Sequence, residues 1–118
     1  MPRRATTADV FNAIAEPRRR QIVELLAQHG PLTVGALVEL LGLPQPGVSK
    51  HLGVLRKVGV VAVSKEGKQR VYNLVAEKLK VVHDWAKTFE DLWSTQLDRI
   101  RERAEHRAHQ QAVSPTPV

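Results

Sequence analysis

Apolar residues recur at helical spacing in two short segments that flank a tight turn. The first segment carries four aliphatic residues in one row and the second carries three: Val34, Leu37, Val38 and Leu41, then Val48, Leu52 and Leu55. Gly42 can end the first helix in a left-handed conformation, and Pro44 and Pro46 suit the start of the second. Two short helices that meet in this way form a helix-turn-helix.

The second of these helices has an outward face that carries no carboxylate. If its apolar row faces the core, the residues on the outside or at the exposed start are Gln45, Pro46, Gly47, Ser49, Lys50, Gly53 and Lys57. Small residues let a backbone approach the DNA major groove, and glutamine, serine and lysine can reach base edges and phosphates. The alternative is an ordinary helical hairpin with solvated cations. The flanking prolines and the acid-free surface together favour a recognition helix.

After Gly59 the pattern changes from helical spacing to β-branched runs. Residues 60–64 and 71–75 flank a polar loop that contains Gly67, which predicts a two-stranded β-hairpin. Three cations lie in this loop: Lys65, Lys68 and Arg70. Such a hairpin is a wing, whose cations can contact the phosphate backbone beside a recognition helix. The alternative is a solvated hairpin whose charges only prevent edge pairing.

Two further helices are predicted before the helix-turn-helix. Residues 8–15 present one apolar face, Pro17 suits the first turn of a second helix, and Thr33 is placed to cap the third. A run of three arginines, residues 18–20, lies just inside the second helix, where cations oppose the helix dipole. We therefore expect compensation from nearby carboxylates, from DNA phosphates or from a partner subunit; the carboxylates are Glu16 and Glu24.

The stretch from residue 76 to about residue 107 contains no proline or glycine, and its apolar residues fall on one broad stripe. It predicts a single helix on the order of 45 Å long, longer than so small a domain can cover. Each large side chain left in water would forfeit roughly 1.5 to 3 kcal/mol. We therefore predict a two-fold dimer in which this helix and the first helix pack against their copies. Folding back of the helix on its own domain, the alternative, would hide only its first half. The predicted interface residues are Val10, Phe11, Leu79, Val82, Trp85, Ala86, Phe89, Leu92, Trp93 and Ile100.

The formal net charge of the 118-residue chain is +6 and its pI is about 10.2. Between residues 42 and 75 there are six cations and one acid, Glu66, so most of the excess lies in the helix-turn-helix and the hairpin. A positive charge concentrated in this way indicates a polyanionic partner such as nucleic acid.

The composition excludes several classes of protein. There is no cysteine, which excludes disulfides and thiolate metal sites. No apolar run approaches the roughly 20 residues that span a bilayer, and the first 20 residues lack the apolar core of a signal peptide. We expect a soluble, cytoplasmic protein with no membrane partner. One domain is predicted over residues 8–109, between a flexible basic N-terminus, 1–7, and a disordered tail, 110–118.

This order of elements resembles the ArsR/SmtB family of dimeric winged-helix repressors. The resemblance rests on the segments 9–26, 32–61 and 63–74, of which residues 42–61 are the most specific. Family members are commonly repressors that leave their operator when a metal or another signal binds. The positions that match the family's DNA-reading residues are Gln45, Pro46, Gly47, Ser49, Lys50 and His51.

The sequence departs from the family at its metal sites. The cysteine pair of the arsenic- and lead-type members is replaced by Thr33 and Gly35. The ligand spacing of the zinc-type members is not reproduced by the acidic and histidine residues of the last helix: His83, Asp84, His106 and His109. We therefore expect no metal site and no cofactor. Two questions stay open: whether any of these four residues binds a metal, since His106 and His109 at i,i+3 could share an ion, and whether an unidentified small-molecule or ion effector exists.

The sequence lacks a nucleophile–base pair, paired carboxylates, a phosphate-cradling glycine loop and a cofactor motif, so we do not expect an enzyme.

The predicted fold is mostly α with a small β-hairpin (α+β), a winged helix-turn-helix of about five helices that dimerises through the long C-terminal helix. The predicted function is a sequence-specific DNA-binding transcriptional regulator, a repressor that binds an inverted-repeat operator as a homodimer. The predicted DNA-binding residues are Gln45, Pro46, Gly47, Ser49, Lys50, His51, Arg56, Lys57, Lys65, Lys68 and Arg70. Two alternatives stay open: a protein-interaction adaptor that uses the aromatic helix, and non-specific nucleoid-type DNA binding.

Overall fold

The computed structural model describes residues 7–113, which form six α-helices and three short β-strands. In chain order the elements are α1 (Thr7–Ala15), α2 (Pro17–His29), β1 (Leu32–Thr33), α3 (Val34–Leu41), α4 (Gln45–Lys57), β2 (Val61–Glu66), β3 (Gln69–Leu74), a 3₁₀ turn (Ala76–Leu79), α5 (Lys80–Lys87) and α6 (Glu90–Val113). Backbone contacts separate two compact units, Met1–Val82 and His83–Val118, within the stretch predicted as one domain. Of the predicted flexible ends, residues 1–6 and 114–118 lie outside the described residues.

The junction between α1 and α2 shows how the arginine run is compensated. The carboxylate of Glu16 caps α2 and accepts a hydrogen bond from the backbone N–H of Arg19 at 3.0 Å. The side chain of Arg19 turns back and donates to the carbonyl oxygens of Ala13 and Asn12, at 2.5 and 3.3 Å. A cation at these last carbonyls complements the dipole of α1. Glu16, one of the two carboxylates considered, therefore takes part in the compensation, and Arg19 also fastens two helices together.

The capping carboxylate of Glu16 is held in its ionised form. Desolvation raises the pKa of Glu16, but backbone hydrogen bonds from Arg19 and Arg18 and the electrostatic interactions with His51 and Arg19 outweigh it, so the pKa lies below its usual value. Because His51 belongs to α4, this charge interaction also links the start of α2 to the recognition helix.

The predicted helix boundaries of the helix-turn-helix are confirmed. Thr33 caps α3 by accepting a hydrogen bond from the N–H of Ala36 at 3.2 Å, and Gly42 ends it in a left-handed conformation, with φ +66°. Pro44, in an extended conformation, precedes α4, and Pro46 lies in its first turn. The turn is tight because only three residues, 42–44, separate the two helices.

The helices α1–α4 and the sheet of the first unit enclose a hydrophobic core. Its largest fully buried side chains are Ile22, Leu37, Leu52, Leu55, Val48, Val60 and Val61. The predicted apolar row of α4 is completely buried, which confirms its assignment to the core face. Val10 is only 5% exposed and belongs to the same core. Little of its surface is therefore left for contact with a second chain, and its assignment to a dimer interface stays a prediction.

The β-sheet is antiparallel and has the strand order β1-β3-β2. The hairpin is confirmed, but its strands extend further than predicted and leave a loop of two residues, Gly67 and Lys68. Gly67 has φ +63° at the first loop position, the conformation that a type II′ hairpin turn requires there. The third strand, β1, was not predicted. It has two residues, paired with Tyr72 and Val71, and so short a strand shows no alternation in the sequence.

The prediction of one uninterrupted helix over residues 76–107 is wrong. A 3₁₀ turn precedes α5, and α5 and α6 are separated at Thr88 and Phe89. The carbonyl oxygen of Trp85 accepts hydrogen bonds from the N–H of Thr88 at 3.1 Å and from its Oγ1 at 2.7 Å. In a regular helix that carbonyl would accept from Phe89, which instead donates to Ala86 at 3.0 Å. Thr88 thus replaces regular helix bonds with a tighter turn.

The last helix, α6, continues to Val113, so its final four residues belong to the stretch predicted as a tail. Throughout residues 7–113, every helix falls short of the length or the apolar character that a membrane span needs.

Candidate nucleic-acid interface

The recognition helix α4 has two chemically different sides. On one side Val48, Leu52 and Leu55 are completely buried and hold the helix on the core. The other side carries the predicted DNA-binding residues. Of these, Gln45, Pro46, Ser49, Lys50, Arg56 and Lys57 are exposed, and Gly47 and His51 are half-buried. No residue of α4 is acidic, so no charge of α4 would repel a phosphate backbone.

Two glycines on α4 have no structural reason to be glycine. A Cβ atom added to Gly47 or Gly53 would meet nothing within 4 Å, and neither residue has a positive φ. A glycine inside a helix costs roughly 0.8–1 kcal/mol relative to alanine. The fold therefore gives up stability at Gly53 without gaining backbone freedom or internal space. Close approach of a partner to the outer surface of α4, which the sequence predicts, would account for this choice and stays a prediction.

His51 faces inward more than its neighbours on α4 do. The residue is half-buried, and its Nδ1 atom is buried without a hydrogen-bond partner among the described residues. His51 also interacts electrostatically with Glu16 at the junction of α1 and α2. A structural contact is therefore the role that its position supports best, whereas base reading by His51 stays a prediction.

The wing brings its cations close to the end of α4. Lys65, Lys68 and Arg70 are all exposed, and Lys65 lies directly opposite Arg70 in the register of β2 and β3. An open recess of about 340 Å³ between α4 and the wing is lined by Arg56, Val63, Ser64, Lys65 and Arg70. Val63 and Ser64 were not predicted to take part, since neither carries a charge that would mark it in the sequence.

The second unit presents a surface of the opposite character. Its large exposed side chains are Trp85, Phe89, Leu92, Trp93, Leu97 and Ile100, each 37–60% exposed. The rings of Trp85 and Phe89 meet edge to face at 5.4 Å, and those of Phe89 and Trp93 stack at 6.3 Å. We call these six residues the apolar ridge. Leu97 was missed in the sequence, although it lies four residues after Trp93.

The remaining predicted interface residues are less exposed than the apolar ridge. Phe11 and Ala86 are half-buried. Leu79 and Val82 are partly buried and pack against the core of the first unit.

The candidate metal ligands are not assembled into a site. In the part of the chain that the structure describes, no three histidine, cysteine, aspartate or glutamate residues are grouped so that they could hold an ion. Thr33, at one position of the family's cysteine pair, is instead the cap of α3. Gly35, at the other, is exposed.

Comparison with known proteins agrees with this geometry. The family described as "Bacterial regulatory protein, arsR family" matches residues 16–63, from the cap of α2 into β2. An uncharacterized HTH-type transcriptional regulator of Methanocaldococcus jannaschii is 37% identical over 75 residues, covering 64% of this chain and 84% of the relative. The transcriptional repressor SdpR of Bacillus subtilis is 32% identical over 81 residues, covering 69% of this chain and 89% of SdpR.

A solved structure extends the similarity to the fold. It is the homodimeric winged helix-turn-helix DNA-binding domain of a possible ArsR-family transcriptional regulator from Mycobacterium bovis. The match has a TM-score of 0.59 and 31% identity, and it covers 71% of this chain and 77% of the other. These relatives are named as regulators of transcription, and the chain belongs to the ArsR family of winged helix-turn-helix transcriptional regulators.

Proposed function

We propose that this regulator is a repressor that binds an inverted-repeat operator as a homodimer, with α4 of each copy in the major groove. One observation carries the proposal: the exposed face of α4 combines base-reading and phosphate-binding side chains with open glycines and has no acidic residue. Of the side chains there, Gln45 and Ser49 can reach base edges and Lys50 can reach a base or a phosphate.

The homodimer is supported by the apolar ridge. Six large apolar side chains exposed on one short segment form a patch of the kind that marks an interaction site. Each contributes roughly 1.5 to 3 kcal/mol when it is buried. The related domain from Mycobacterium bovis is homodimeric, which makes a second copy of this chain the natural partner. Two copies related by a dyad would read two half-sites about one DNA turn apart.

Repression is supported by the names of two relatives. SdpR is a transcriptional repressor, and a biofilm growth-associated repressor from Agrobacterium fabrum is 40% identical over 79 residues. A dimer that occupies promoter DNA prevents transcription by its presence, without any catalytic step.

Selection of bound duplexes from random DNA at near-physiological salt tests the proposal. We expect the selected sites to contain an inverted repeat whose half-sites are about ten base pairs apart. Enrichment without symmetry, or no enrichment, would contradict it, and equal affinity for every duplex would indicate nucleoid-type binding.

A matched pair of lysine variants locates the DNA-binding surface. Lys50→Ala on α4 should weaken binding to the selected duplex. If Lys50 neutralises one phosphate, the plot of the logarithm of the binding constant against the logarithm of the salt concentration should also become less steep, by about 0.9 in slope. Lys87→Ala, an exposed cation of α5, is the control and should leave both quantities unchanged.

The apolar ridge also supports a second function, an adaptor that docks a different protein. Binding of this kind would be nearly independent of salt, because it rests on apolar contacts. It would be lost in Trp93→Ala and kept in Lys50→Ala. Salt-independent capture of a protein ligand together with failure to bind any duplex would favour the adaptor.

A further inference from the structure

A recess of about 390 Å³ lies beside the break between α5 and α6, within the second unit. Its lining comes from the end of α5 and the start of α6: His83, Ala86, Lys87, Glu90 and Trp93. Small-molecule sites in proteins have volumes of roughly 300–1,000 Å³, an apolar wall and a few convergent polar groups. The recess matches this description at the small end of the range.

The apolar wall of the recess is formed by Trp93 and Ala86. Trp93 stacks on Phe89 at 6.3 Å, but Phe89 does not line the recess. The indole ring therefore offers the recess a part of its surface that Phe89 leaves uncovered, and Trp93 as a whole is 48% exposed. Aromatic rings pair with one another in offset-stacked or edge-to-face geometry, so an aromatic ring is the ligand group that fits this wall best.

The ionisable residues of the recess are divided between its two sides. His83 and Lys87 are four residues apart on α5 and are therefore neighbours on one helix face. Glu90 belongs to the first turn of α6, where a carboxylate complements the helix dipole. Within residues 7–113, no hydrogen bond or ion pair engages the side chains of His83 and Lys87. The ammonium group of Lys87 and a ring N–H of His83 can thus donate to an anionic group of a ligand.

The recess suits a small molecule better than it suits a second copy of the chain. An apolar protein surface that covered it would take three ionisable side chains out of water without giving them partners, which costs free energy. A small molecule with one anionic group can instead pair with Lys87 and leave Glu90 in contact with water.

We propose that this recess binds a small aromatic carboxylate, with the ring against Trp93 and the carboxylate at Lys87 and His83. The inference goes beyond the proposed DNA binding, because the site belongs to the second unit and contains none of the predicted DNA-binding residues. In the proposed regulator such a ligand is an effector, and this role rests on the proposed function.

Titration of the full chain with phenylacetate tests the binding site. We would hold the ionic strength constant with chloride and record the NMR signals of the backbone amides and of the two indole N–H groups. The amides of the lining residues and the indole N–H of Trp93 should shift and saturate together. A dissociation constant on the order of 1 mM is expected for a ligand of this size. The indole N–H of Trp85 should shift less, because Trp85 does not line the recess.

Two further probes test the chemical class of the ligand. Acetate carries the charge of phenylacetate without the ring, and phenylethylamine carries the ring with a positive charge. Both should bind at least about tenfold more weakly than phenylacetate, since each loses one of the two contacts. Acetate that binds as tightly as phenylacetate would refute the role of the ring. Tighter binding of phenylethylamine would assign recognition to Glu90 and overturn the proposal of a carboxylate.

A matched pair of variants tests the role of Lys87. Lys87→Gln should weaken phenylacetate about tenfold, because a hydrogen bond between two charged groups is lost. Lys80→Gln is the control and should bind phenylacetate like the wild type, because Lys80 is an exposed cation of α5 that does not line the recess. Equal affinities in the two variants, or wild-type shifts that grow linearly without saturation, would overturn the proposal.

Measurements with DNA separate failure of this site from failure of the proposed function. Saturating phenylacetate should change the affinity for the selected duplex by at least about fivefold in the wild type, and much less in Lys87→Gln. If phenylacetate saturates the recess but the wild type binds no duplex, the proposed function fails and the site stands. If the selected duplex is bound but phenylacetate does not saturate, only the site fails. Saturation that leaves the duplex affinity unchanged would refute the effector role.

Discussion

The two exposed helical surfaces of this molecule, the outer face of α4 and the apolar ridge of α5 and α6, differ in almost every property. The helix α4 buries a complete apolar row in its own unit and shows polar residues, cations and glycines outside. In contrast, α5 and α6 contain no fully buried residue within the described part of the chain. They expose two tryptophans, and a phenylalanine is exposed at the break between them.

The comparison shows that the two exposed surfaces suit different kinds of partner. On α4 the exposed face suits a charged and hydrated partner, because its polar and cationic groups lose little free energy in water. On the apolar ridge the exposed side chains lose free energy in water, so that surface needs an apolar partner. In the proposed function, DNA binds the first surface and a second copy of the chain covers the second.

Removing an anchor of α4 should have the largest effect on stability. Leu52→Ala should lower the free energy of unfolding by about 2–5 kcal/mol, because Leu52 is completely buried at the centre of the row. Leu40→Ala, at a position that is 49% exposed, is the control and should cost far less. Urea unfolding measures both. Similar losses in the two variants would show that α4 is not held by its buried row.

Truncating the centre of the apolar ridge should act on association and leave the fold of the first unit intact. Trp93→Ala should weaken self-association by roughly 1.5–3 kcal/mol, about tenfold or more, because Trp93 stacks on Phe89 and is 48% exposed. Sedimentation equilibrium measures the change. An unchanged association constant would show that Trp93 is not part of the dimer interface. It would also contradict the proposal that the apolar ridge packs against a second copy of the chain.

The open glycine of α4 allows stability and DNA binding to be separated. Gly53→Ala should raise the stability of the fold by about 0.5–1 kcal/mol, since the added Cβ meets nothing within 4 Å. The same methyl group should lower DNA affinity about tenfold, or 1.4 kcal/mol, where a duplex lies against the helix. Calorimetry and a binding titration give the two values.

Gly35→Ala is the matched control for this change. Gly35 lies in the first turn of α3, and an added Cβ there would be 3.9 Å from Thr33 Oγ1, an ordinary contact. This variant should bind DNA like the wild type. A stabilised Gly53→Ala with unaltered DNA affinity would show that nothing approaches α4 closely at this point.

The smallest expected effect is the pH dependence contributed by Glu16. Its pKa is lower in the folded chain than the usual 4.5, so its ionised form stabilises the fold above pH 4.5. That contribution is lost as the pH falls through the lower folded value. A glutamine side chain at this position would keep a hydrogen-bond acceptor for the N–H of Arg19, so Glu16→Gln removes mainly the charge. The stability difference between wild type and variant should shrink as the pH falls below 4.5 and through the lower folded pKa, because the carboxylate then becomes protonated in both states. If the stability difference between wild type and Glu16→Gln stayed constant with pH, the charge of Glu16 would not contribute to stability.

Local sequence signals predicted most of the first unit. Pro17, Thr33, Gly42 and Gly67 each mark a cap or a turn whose geometry depends on one residue, and each is found where it was expected. The core row of α4 followed from helical spacing. Signals of this kind work because they require no knowledge of distant parts of the chain.

The features that were missed depend on tertiary context or on competing hydrogen bonds. The burial of Val10 depends on which helices pack around α1. Helical periodicity shows that a helix has an apolar face, but it does not show which element packs against that face. The strand β1 exists only because β3 lies beside it. At Thr88 a side-chain hydroxyl takes part in breaking a helix that the apolar stripe alone would continue. Whether the predicted DNA-contacting residues act together depends on a duplex that the sequence does not describe.

The spacing of half-sites tests the central claim, that two copies present α4 to one duplex at a fixed separation. We would insert five base pairs, about half a helical turn, between the half-sites of the selected duplex and measure the affinity of the dimer. The account predicts a loss of at least about tenfold, because the second recognition helix would face the wrong side of the DNA. An affinity that is unchanged by the insertion would contradict it.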